Sequence, residues 1–396
     1  MKKILISSFD MEVGGVERSL ISLLENFDYD KYDVDLMLYR HKGEFMDLLP
    51  YKNNLLDENK VYSTYRKSIK EIFLSGNFLI GLTRIYAKVV AKIFGTIKCM
   101  EKTGYYQMQL MWKYALPFLP KSKEEYDVAI SYLWPHYYIS DKVNAKKKIA
   151  WIHTDYSTIE TDIKMDLEMW NKFNYIIAVS EECKNAFLNK YPSLIKKVKV
   201  MENITSPDFV EKMALKKIDS NILNDNSFKL LTVARFDYAK GIDNAVKALK
   251  LLHDRGLTNI KWYVVGYGEN ENNIKALIKE NKLEDKFILL GKKINPYPYM
   301  KVCDLYVQPS RFEGKAVTVS EAQIIGKPVM ITNYTTAKSQ VIENVDGYIC
   351  ELSVEGIADG IEKLYRDNGL RQKLANNCIN TNYSNRRELQ KLYKLF

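Results

Sequence analysis

The most restrictive feature of the sequence is a repeated alternation between short apolar runs and longer segments with helical spacing. The first run, KKILISSF, is followed by the glycine turn EVGGVERS and then by LISLLENF, whose apolar residues recur with helical spacing. This succession predicts a strand, a tight loop and a helix. Because the succession repeats, we predict a parallel sheet with crossover helices. Further strand patterns in the first half are YDVDLMLY, YDVAISYL, KKKIAWIH and YIIAVSEE.

The same alternation starts again in the second half of the chain. FKLLTVARF has the pattern of a strand, and GIDNAVKALKLLHDRG has helical spacing and ends at a glycine. We therefore predict two doubly wound α/β domains, over 1–204 and 205–380, and a helix over 381–396 that could pack back on the first domain. Further strand patterns in this half are IKWYVVGYG, KFILLGK, CDLYVQPS, KPVMITN and GYICEL.

The formal charge of +10 on this chain of 396 residues is concentrated in one segment. Residues 60–123 hold twelve Lys or Arg and two Asp or Glu, so the rest of the chain is neutral. Within the segment, Arg84, Lys88 and Lys92 recur every four residues, as in an amphipathic basic helix. We expect this helix to dock on an anionic membrane surface; the alternatives are a solvated helix face and a surface for a protein partner. The apolar residues beside these cations are Ile85, Val89, Ile93, Phe94 and Ile97.

Composition also argues against several classes of protein. No run of 18 apolar residues is present, so we expect no membrane-spanning helix. The start, MKKILISSFD, becomes polar too early for a signal peptide, and five scattered cysteines are typical of a reducing cytoplasm. Neither a nucleic-acid-binding module nor metal-ligand spacing is recognisable. We therefore predict a cytoplasmic protein that binds neither nucleic acid nor a metal.

Two glutamates, Glu313 and Glu321, lie eight residues apart in RFEGKAVTVSEA, where the predicted strand CDLYVQPS ends. Gly314 would allow a ligand to approach the backbone closely, and the N–H groups of residues 314–317 would open a helix that attracts anions. The two carboxylates could accept hydrogen bonds from ligand hydroxyls on either side of a phosphate, one of them from a ribose. The alternative is a surface loop and an exposed helix with incidental acids.

Two cations, Arg235 and Lys240, follow another predicted strand in VARFDYAKG. Together they could neutralise a diphosphate leaving group, because Arg adds bidentate geometry and Lys a point charge. In doubly wound sheets, ligands bind at the carboxyl ends of the strands. If the two domains face each other, these residues would converge on one interdomain cleft.

Both motifs resemble those of the retaining glycosyltransferases of family four. EGKAVTVSEA resembles the Glu-x7-Glu signature of that family, and VARFDYAKG resembles its Arg-x4-Lys-Gly pattern. The resemblance implies the GT-B architecture of two facing Rossmann-like domains, the first binding the acceptor and the second the nucleotide sugar. It also implies that Glu313 contacts the donor sugar and Glu321 the ribose. Lys315, directly after the glycine, is a variant typical of bacterial surface-polysaccharide enzymes.

Residues at other strand ends resemble further parts of that active site. Gly15 lies in a loop like the one against the donor phosphate, and His153 matches an active-site histidine; a plain turn and a structural histidine are the alternatives. Gly266 could let the backbone approach a ligand, and the stretch from Lys292 to Asn295 matches the place where the family holds the base. The predicted catalytic residues are His153, Arg235, Lys240 and Glu313, and the predicted donor-binding residues are Gly15, Gly266, Lys292, Asn295, Gly314, Lys315, Ala316, Val317 and Glu321.

The resemblance implies a retaining transferase that needs neither metal nor other cofactor. We predict that it moves a hexose from a nucleotide sugar, preferably a UDP-sugar, to a lipid-linked saccharide or cell-surface glycan precursor. Such an enzyme would be peripheral on the inner face of the plasma membrane. The alternatives are a glycogen-synthase-like transferase with a soluble acceptor and a noncatalytic partner subunit of the same fold.

Overall fold

The chain forms two compact units in a computed structural model. The structure describes residues 1–97, 100, 103–154, 156–218, 222, 226–313 and 315–396. The first unit comprises Met1–Ile204 together with Asn385–Phe396, and the second comprises Thr205–Ser384. Each unit is built around one parallel β-sheet.

The sheet of the first unit has seven strands, in the order β3-β2-β1-β4-β5-β6-β7. All neighbouring strands run parallel, from the pairing of Lys2 with Tyr32 to that of Ala178 with Val200. The strands are β1 (Lys2–Ser8), β2 (Tyr32–Leu38), β3 (Asn54–Leu55), β4 (Glu125–Ser131), β5 (Asn144–Ile152), β6 (Tyr175–Ala178) and β7 (Val198–Val200). The helices between them are α1 (Gly15–Glu25), α2 (Ile69–Leu74), α3 (Phe78–Ile97), α4 (Gly104–Ala115), α5 (Tyr137–Lys142), α6 (Ile163–Trp170) and α7 (Glu181–Lys190).

The sheet of the second unit has six parallel strands, in the order β10-β9-β8-β11-β12-β13. Its strands are β8 (Phe228–Val233), β9 (Ile260–Val265), β10 (Phe287–Gly291), β11 (Leu305–Gln308), β12 (Val329–Thr332) and β13 (Tyr348–Cys350). Its helices are α8 (Pro207–Ala214), α9 (Ile242–Asp254), α10 (Glu271–Glu280), α11 (Tyr297–Val302), α12 (Val317–Ile324), α13 (Ala337–Gln340), α14 (Val354–Arg366) and α15 (Asn368–Asn380).

Both sheets therefore have the doubly wound topology that the alternating pattern predicts. The strand order reverses between β1 and β4 in the first unit, and between β8 and β11 in the second. In open α/β sheets such a reversal opens a crevice beyond the carboxyl ends of the two strands, and ligands bind there. The strand interiors are almost continuously apolar and buried, because helices cover parallel sheets on both faces.

An eighth helix, α16 (Arg387–Tyr393), completes the first unit from a distant part of the chain. Tyr393 stacks on Tyr32 with ring centroids 4.9 Å apart, and it lies edge-on to Phe27. Its hydroxyl also accepts a hydrogen bond of 2.8 Å from the backbone N–H of Asp28. Phe396 joins the same aromatic group, so this cluster fixes the segment 385–396 against the first unit.

The basic segment contains a helix where the sequence predicts one, α3, but one of its three cations lies elsewhere than expected. The prediction for Arg84 was wrong, because its side chain is buried and does not belong to a solvated basic face. Its guanidinium donates a hydrogen bond of 2.8 Å to the carbonyl of Thr64 and lies 4.8 Å from the ring centroid of Tyr65. Lys88 and Lys92 are exposed as expected. Among the described residues, no helix combines the length and apolar character needed to cross a bilayer.

Candidate active site

Lys240 and Glu313 come together at the point where the strand order of the second unit reverses. Lys240 lies in the loop that follows β8, and Glu313 lies in the loop that follows β11. Since β8 and β11 are neighbours in the sheet, the two loops leave the same edge side by side. The Nζ of Lys240 donates a hydrogen bond of 2.8 Å to Oε2 of Glu313. This ion pair is largely shielded, with 21% of the lysine and 8% of the glutamate side chain exposed.

The second carboxylate oxygen of Glu313 is held from the strand side. Its Oε1 accepts hydrogen bonds from the Oγ of Ser310 at 2.7 Å and from the Nε2 of Gln308 at 3.1 Å. The backbone carbonyl of Glu313 also accepts a hydrogen bond from the hydroxyl of Thr336. A buried carboxylate needs this many partners, because an uncompensated charge away from water is costly. Glu313 is therefore a fixed hydrogen-bond acceptor rather than a mobile surface acid.

Arg311 connects the two loops that carry this ion pair, and the sequence motifs did not single it out. Its guanidinium forms a bidentate pair with Asp243, at 2.8 and 2.7 Å, and donates to the carbonyl of Tyr238 at 2.8 Å. It also lies 4.2 Å from the ring centroid of Tyr238. Arg311 is thus a positioning residue for the turn of residues 238–240, on which Lys240 is carried. A cation close to the glutamate motif and an acid just after Lys240 were the only signals for this contact.

Glu321 lies on α12 and is buried, with its Oε1 accepting a hydrogen bond of 2.8 Å from the hydroxyl of Tyr297. Tyr297 begins α11, and its backbone N–H donates to Oδ1 of Asn295. The side-chain amide of Asn295 in turn donates to the carbonyl of Met213 at 2.8 Å. The contacts orient the Glu321 carboxylate through a tyrosine that sequence reasoning missed. Asn295 acts here as a structural link between α8 and α11.

The first turn of α12 was expected to offer free backbone donors to an anion. Val317 begins this helix, as predicted, but the N–H of Ala316 already donates to Oε1 of Gln340 at 3.1 Å. Lys315 is exposed. Gly314, which was predicted to let a ligand approach, lies outside the described residues. The hydroxyl of Tyr334 donates to the same Gln340 oxygen, so α13 fixes the loop between Glu313 and α12.

Arg235 and Gly266 lie at the carboxyl ends of β8 and β9. The Arg235 side chain is 76% exposed, and its nearest acid is Asp237, at 3.8 Å. It is therefore not part of the Lys240–Glu313 pair and is open to a ligand. Gly266 packs closely against the backbone after β8, since a Cβ there would lie 1.9 Å from the carbonyl oxygen of Ala234. A glycine is required at this position because the ends of β8 and β9 lie too close together for a side chain. Lys292 lies over the ring of Tyr267, at 5.5 Å from the centroid.

In the first unit, the loop after β1 and the first turn of α1 together carry two glycines and two buried acids. Gly14 precedes α1 in an extended conformation, and Gly15 begins that helix with open space around its Cα. The buried acids are Asp10 and Glu17, neither of which the sequence patterns singled out. Burial raises the pKa of both carboxyls, that of Glu17 to about 7. Arg66 pairs with Asp10 at 2.8 Å and lowers the pKa of Asp10 in part.

His153 follows β5, as predicted, and packs against Tyr132 with ring centroids 4.7 Å apart. Burial lowers the pKa of His153 to about 3, so its imidazole is neutral at physiological pH. Its Nε2 has no hydrogen-bond partner within the described residues, so a ligand hydroxyl could be a partner. His136, at the start of α5, is wholly buried and bonds to the hydroxyl of Ser131. Burial also lowers the pKa of His136 to about 3.

Metal ligands were expected to be absent. In the part of the chain that the structure describes, no three His, Cys, Asp or Glu side chains are grouped so as to hold a metal ion. Metal independence itself stays a prediction that only an activity measurement tests.

Most of the second unit matches a family of known proteins. The family described as Glycosyl transferases group 1 matches residues 214–381, which include the Lys240–Glu313 pair and Glu321. Residues 214–381 are similar to a group 1 glycosyltransferase domain. The motifs that suggested a glycosyltransferase family from the sequence lie within this domain.

Relatives of this chain include two named glycosyltransferases. The capsular polysaccharide biosynthesis glycosyltransferase CapM of Staphylococcus aureus is 29% identical over 237 residues, covering 56% of this chain and 61% of CapM. A Campylobacter jejuni enzyme, named as a diphospho-undecaprenol 4-alpha-N-acetylgalactosaminyltransferase, is 29% identical over 167 residues, covering 41% of this chain and 45% of the enzyme. The chain thus spans less than two thirds of the length of these relatives.

Solved structures resemble the whole chain, including the first unit. The Anabaena protein HepE, in complex with UDP and glucose, has a TM-score of 0.67 and 18% identity, with 100% of this chain and 99% of HepE covered. TarM of S. aureus, in a complex that includes UDP, has a TM-score of 0.68 and 15% identity, with 100% and 99% covered. At these identities the likeness concerns the fold alone. The predicted fold class, GT-B with two Rossmann-like parallel-sheet domains, is therefore confirmed.

Proposed function

We propose that this chain is a retaining glycosyltransferase that moves a hexose from a nucleotide sugar, preferably a UDP-sugar, to a lipid-linked saccharide or cell-surface glycan precursor. The observation that carries the proposal is the Lys240–Glu313 pair at the strand-order reversal of a group 1 glycosyltransferase domain. A noncatalytic copy of the fold would have no reason to keep a shielded ion pair at this place.

The chemistry of the proposed reaction assigns a role to each charge. Loss of a nucleoside diphosphate builds negative charge in the transition state, and fixed cations stabilise it. Lys240 is such a cation, and Arg235 supplies a second one on an exposed side chain. Glu313 would accept hydrogen bonds from hydroxyls of the donor sugar, and Glu321 from the ribose. No metal is needed in this scheme, because the two side chains carry the required positive charge.

Donor and acceptor classes rest on the relatives. The HepE and TarM structures contain UDP, which supports a UDP-sugar as the donor. The name of the Campylobacter relative specifies a diphospho-undecaprenol acceptor, and that of CapM capsular polysaccharide. These names support a lipid-linked saccharide or surface-glycan precursor as the acceptor. Such an acceptor would place the enzyme on the inner face of the plasma membrane, where the basic segment would meet anionic lipid.

A donor screen tests this proposal directly. UDP- and GDP-sugars are incubated with the protein, and release of the nucleotide is measured with and without EDTA. We expect release from a UDP-sugar that EDTA does not reduce. Failure of every nucleotide sugar to release nucleotide or to bind would favour a noncatalytic partner subunit. Lipid-linked and soluble saccharides are then compared as acceptors, and a preference for a soluble glucan would favour the glycogen-synthase-like alternative.

The ribose role of Glu321 is tested separately. We expect Glu321→Ala to weaken UDP binding by one to two orders of magnitude, because hydrogen bonds to charged groups contribute about 1.5–3 kcal/mol. Isothermal titration calorimetry measures this affinity, and the melting temperature shows whether the second unit stays folded. Unchanged UDP affinity would exclude the ribose role.

A further inference from the structure

The longest helix of the first unit, α3, exposes a continuous stripe of large apolar side chains. Six of them recur at intervals of three or four residues and so lie on one side of the helix. Their exposed fractions run from 49% for Val89 to 68% for Ile97. We call this stripe the outer face of α3; it consists of Leu79, Leu82, Tyr86, Val89, Ile93 and Ile97.

The opposite side of α3 is the side that the fold uses. Small residues there, Ala87 and Ala91, are buried and pack with Tyr106 and Leu110 of α4. Arg84 also points to that side and anchors the helix to the carbonyl of Thr64. Because α3 is packed through its small residues, the outer face adds little to the core beyond the contact of Tyr86 with the ring of Tyr114. A contiguous exposed apolar surface of this kind marks an interaction site.

The charges around the outer face indicate what can cover it. Lys88 and Lys92 are exposed beside Val89 and Ile93, and residues 78–97 contain no Asp or Glu. The surrounding segment, 60–123, carries the whole net charge of the chain. A second copy of the chain would bring the same lysines opposite these, whereas helix pairs that associate through an apolar seam are flanked by charges of both signs. An anionic bilayer matches both the charge and the apolar stripe.

We propose that α3 lies in the surface of an anionic bilayer, with its outer face inserted at the boundary between headgroups and acyl chains. The location deepens the proposed function and rests on its lipid-linked acceptor. α3 has 20 residues and is therefore about 30 Å long, and it lies in the plane of the membrane instead of crossing it. Lys88 and Lys92 extend to the phosphates, while Arg84 takes no part because it is buried in the protein.

Two separable contributions to the free energy of membrane binding follow from this arrangement. The lysines make binding depend on anionic lipid and on salt, because surface charges are screened over about 10 Å at 0.1 M ionic strength. The apolar stripe contributes a second part that salt does not remove. Purely electrostatic docking, by contrast, would disappear completely in high salt.

Sedimentation with lipid vesicles separates the two contributions. Vesicles of phosphatidylcholine, with and without anionic phosphatidylglycerol, are mixed with the full chain at low and high salt. We expect the triple variant Leu82→Gln, Val89→Gln and Ile93→Gln to lose roughly 100-fold in partitioning, even at low salt. The matched control is Ile195→Gln, Leu215→Gln and Ile342→Gln, which changes exposed apolar residues elsewhere and should bind like the parent. The double variant Lys88→Gln and Lys92→Gln should lose its preference for anionic lipid.

A second measurement reports how deeply α3 inserts into the bilayer, and it does not depend on variants that could fail to fold. In Val89→Trp, the new indole should be quenched by brominated lipid, whereas in Ile195→Trp it should not be. Vesicle binding of the triple variant equal to that of the parent, absence of quenching, or a dimer in solution that the triple variant abolishes would each overturn the proposal. Nucleotide release without vesicles is measured in parallel. Loss of vesicle binding with intact release would refute only the membrane placement, and loss of release in the parent would refute only the proposed function.

Discussion

The Nζ of Lys240 lies 2.8 Å from Oε2 of Glu313, although the two residues are 73 positions apart in the chain. The contact forms because β8 and β11 are neighbours, and the residues follow these strands directly. Glu313 is thereby held in a shielded place, next to the cation that a departing diphosphate would need.

Removing Lys240 should therefore affect both stability and turnover. We expect Lys240→Ala to destabilise the second unit by about 1.5–3 kcal/mol, because Glu313 would lose its charged partner. Adding Glu313→Gln should restore most of that stability without restoring activity. Thermal unfolding and donor turnover measure the two effects, with Lys250→Ala, an exposed pair on α9, as the control. If Lys240→Ala were as stable as the parent, the ion pair with Glu313 would not stabilise the second unit.

Arg235 should behave differently, because its side chain is 76% exposed and its contact with Asp237 is long, at 3.8 Å. We expect Arg235→Ala to change the free energy of unfolding by less than about 0.5 kcal/mol, as is usual for surface substitutions. Turnover of the donor should nevertheless fall by ten- to a hundredfold or more, as expected for lost stabilisation of leaving-group charge. Arg366→Ala, another exposed arginine, provides the control. Turnover equal to that of the parent would remove Arg235 from the site.

Tyr297 should influence nucleotide binding through Glu321. Tyr297→Phe removes the hydroxyl that donates to Glu321 and keeps the ring, so the buried carboxylate loses one partner. We expect UDP affinity to fall by roughly two- to tenfold, since the effect on the ligand is indirect and a typical hydrogen bond contributes about 0.5–1.5 kcal/mol. Calorimetry checks this, and Tyr299→Phe, on the same helix and also buried, should leave the affinity unchanged. Equal effects of the two substitutions would indicate general damage to α11.

Glu17 should make the stability of the first unit depend on pH. Its pKa is about 7 in the folded chain, above the value near 4.5 of an exposed glutamate, because burial disfavours the carboxylate. The folded state therefore binds more protons between pH 4.5 and 7, and this contribution to stability is present at low pH and lost as pH rises through 7. We expect Glu17→Gln to stabilise the chain at pH 8 by on the order of 3 kcal/mol and to have little effect at pH 4.5.

Unfolding in denaturant at both pH values measures this difference. Glu25→Gln changes an exposed acid on the same helix and should show no such dependence. Because His136 and His153 have a lowered pKa and act with the opposite sign, the comparison is made between variant and parent at each pH. A Glu17→Gln effect that is equal at pH 4.5 and 8 would contradict the raised pKa.

The fold class could be predicted from the sequence because buried parallel strands leave a clear pattern. Each of the eleven apolar runs that were predicted to be strands contains a strand of the structure, from KKILISSF at β1 to GYICEL at β13. Two strands were missed: β3 has only two residues, both exposed, and β7 has three. Neither is long enough to show the pattern by which a strand is recognised.

The contacts of the site could be predicted less well than its residues. The motifs identified Lys240, Glu313 and Glu321, but Arg311 and Tyr297 contribute through contacts between residues far apart in the chain. The periodicity of residues 84–92 likewise indicated a basic face without showing which side of the helix is packed. The burial of Arg84 depends on a carbonyl and a tyrosine ring about 20 residues earlier. No local pattern encodes that partner.

The position of the segment 385–396 has a consequence for how the protein is made. During synthesis, residues 1–204 leave the ribosome well before the aromatic side chains of Tyr393 and Phe396 exist. Until then Phe27 and Tyr32 lack the rings that cover them, and the first unit cannot finish folding in the order in which it is translated. All of residues 205–384 must be made first. The nascent chain therefore exposes an uncovered aromatic surface throughout that interval. Folding of the first unit is completed only when the segment 385–396 packs onto it.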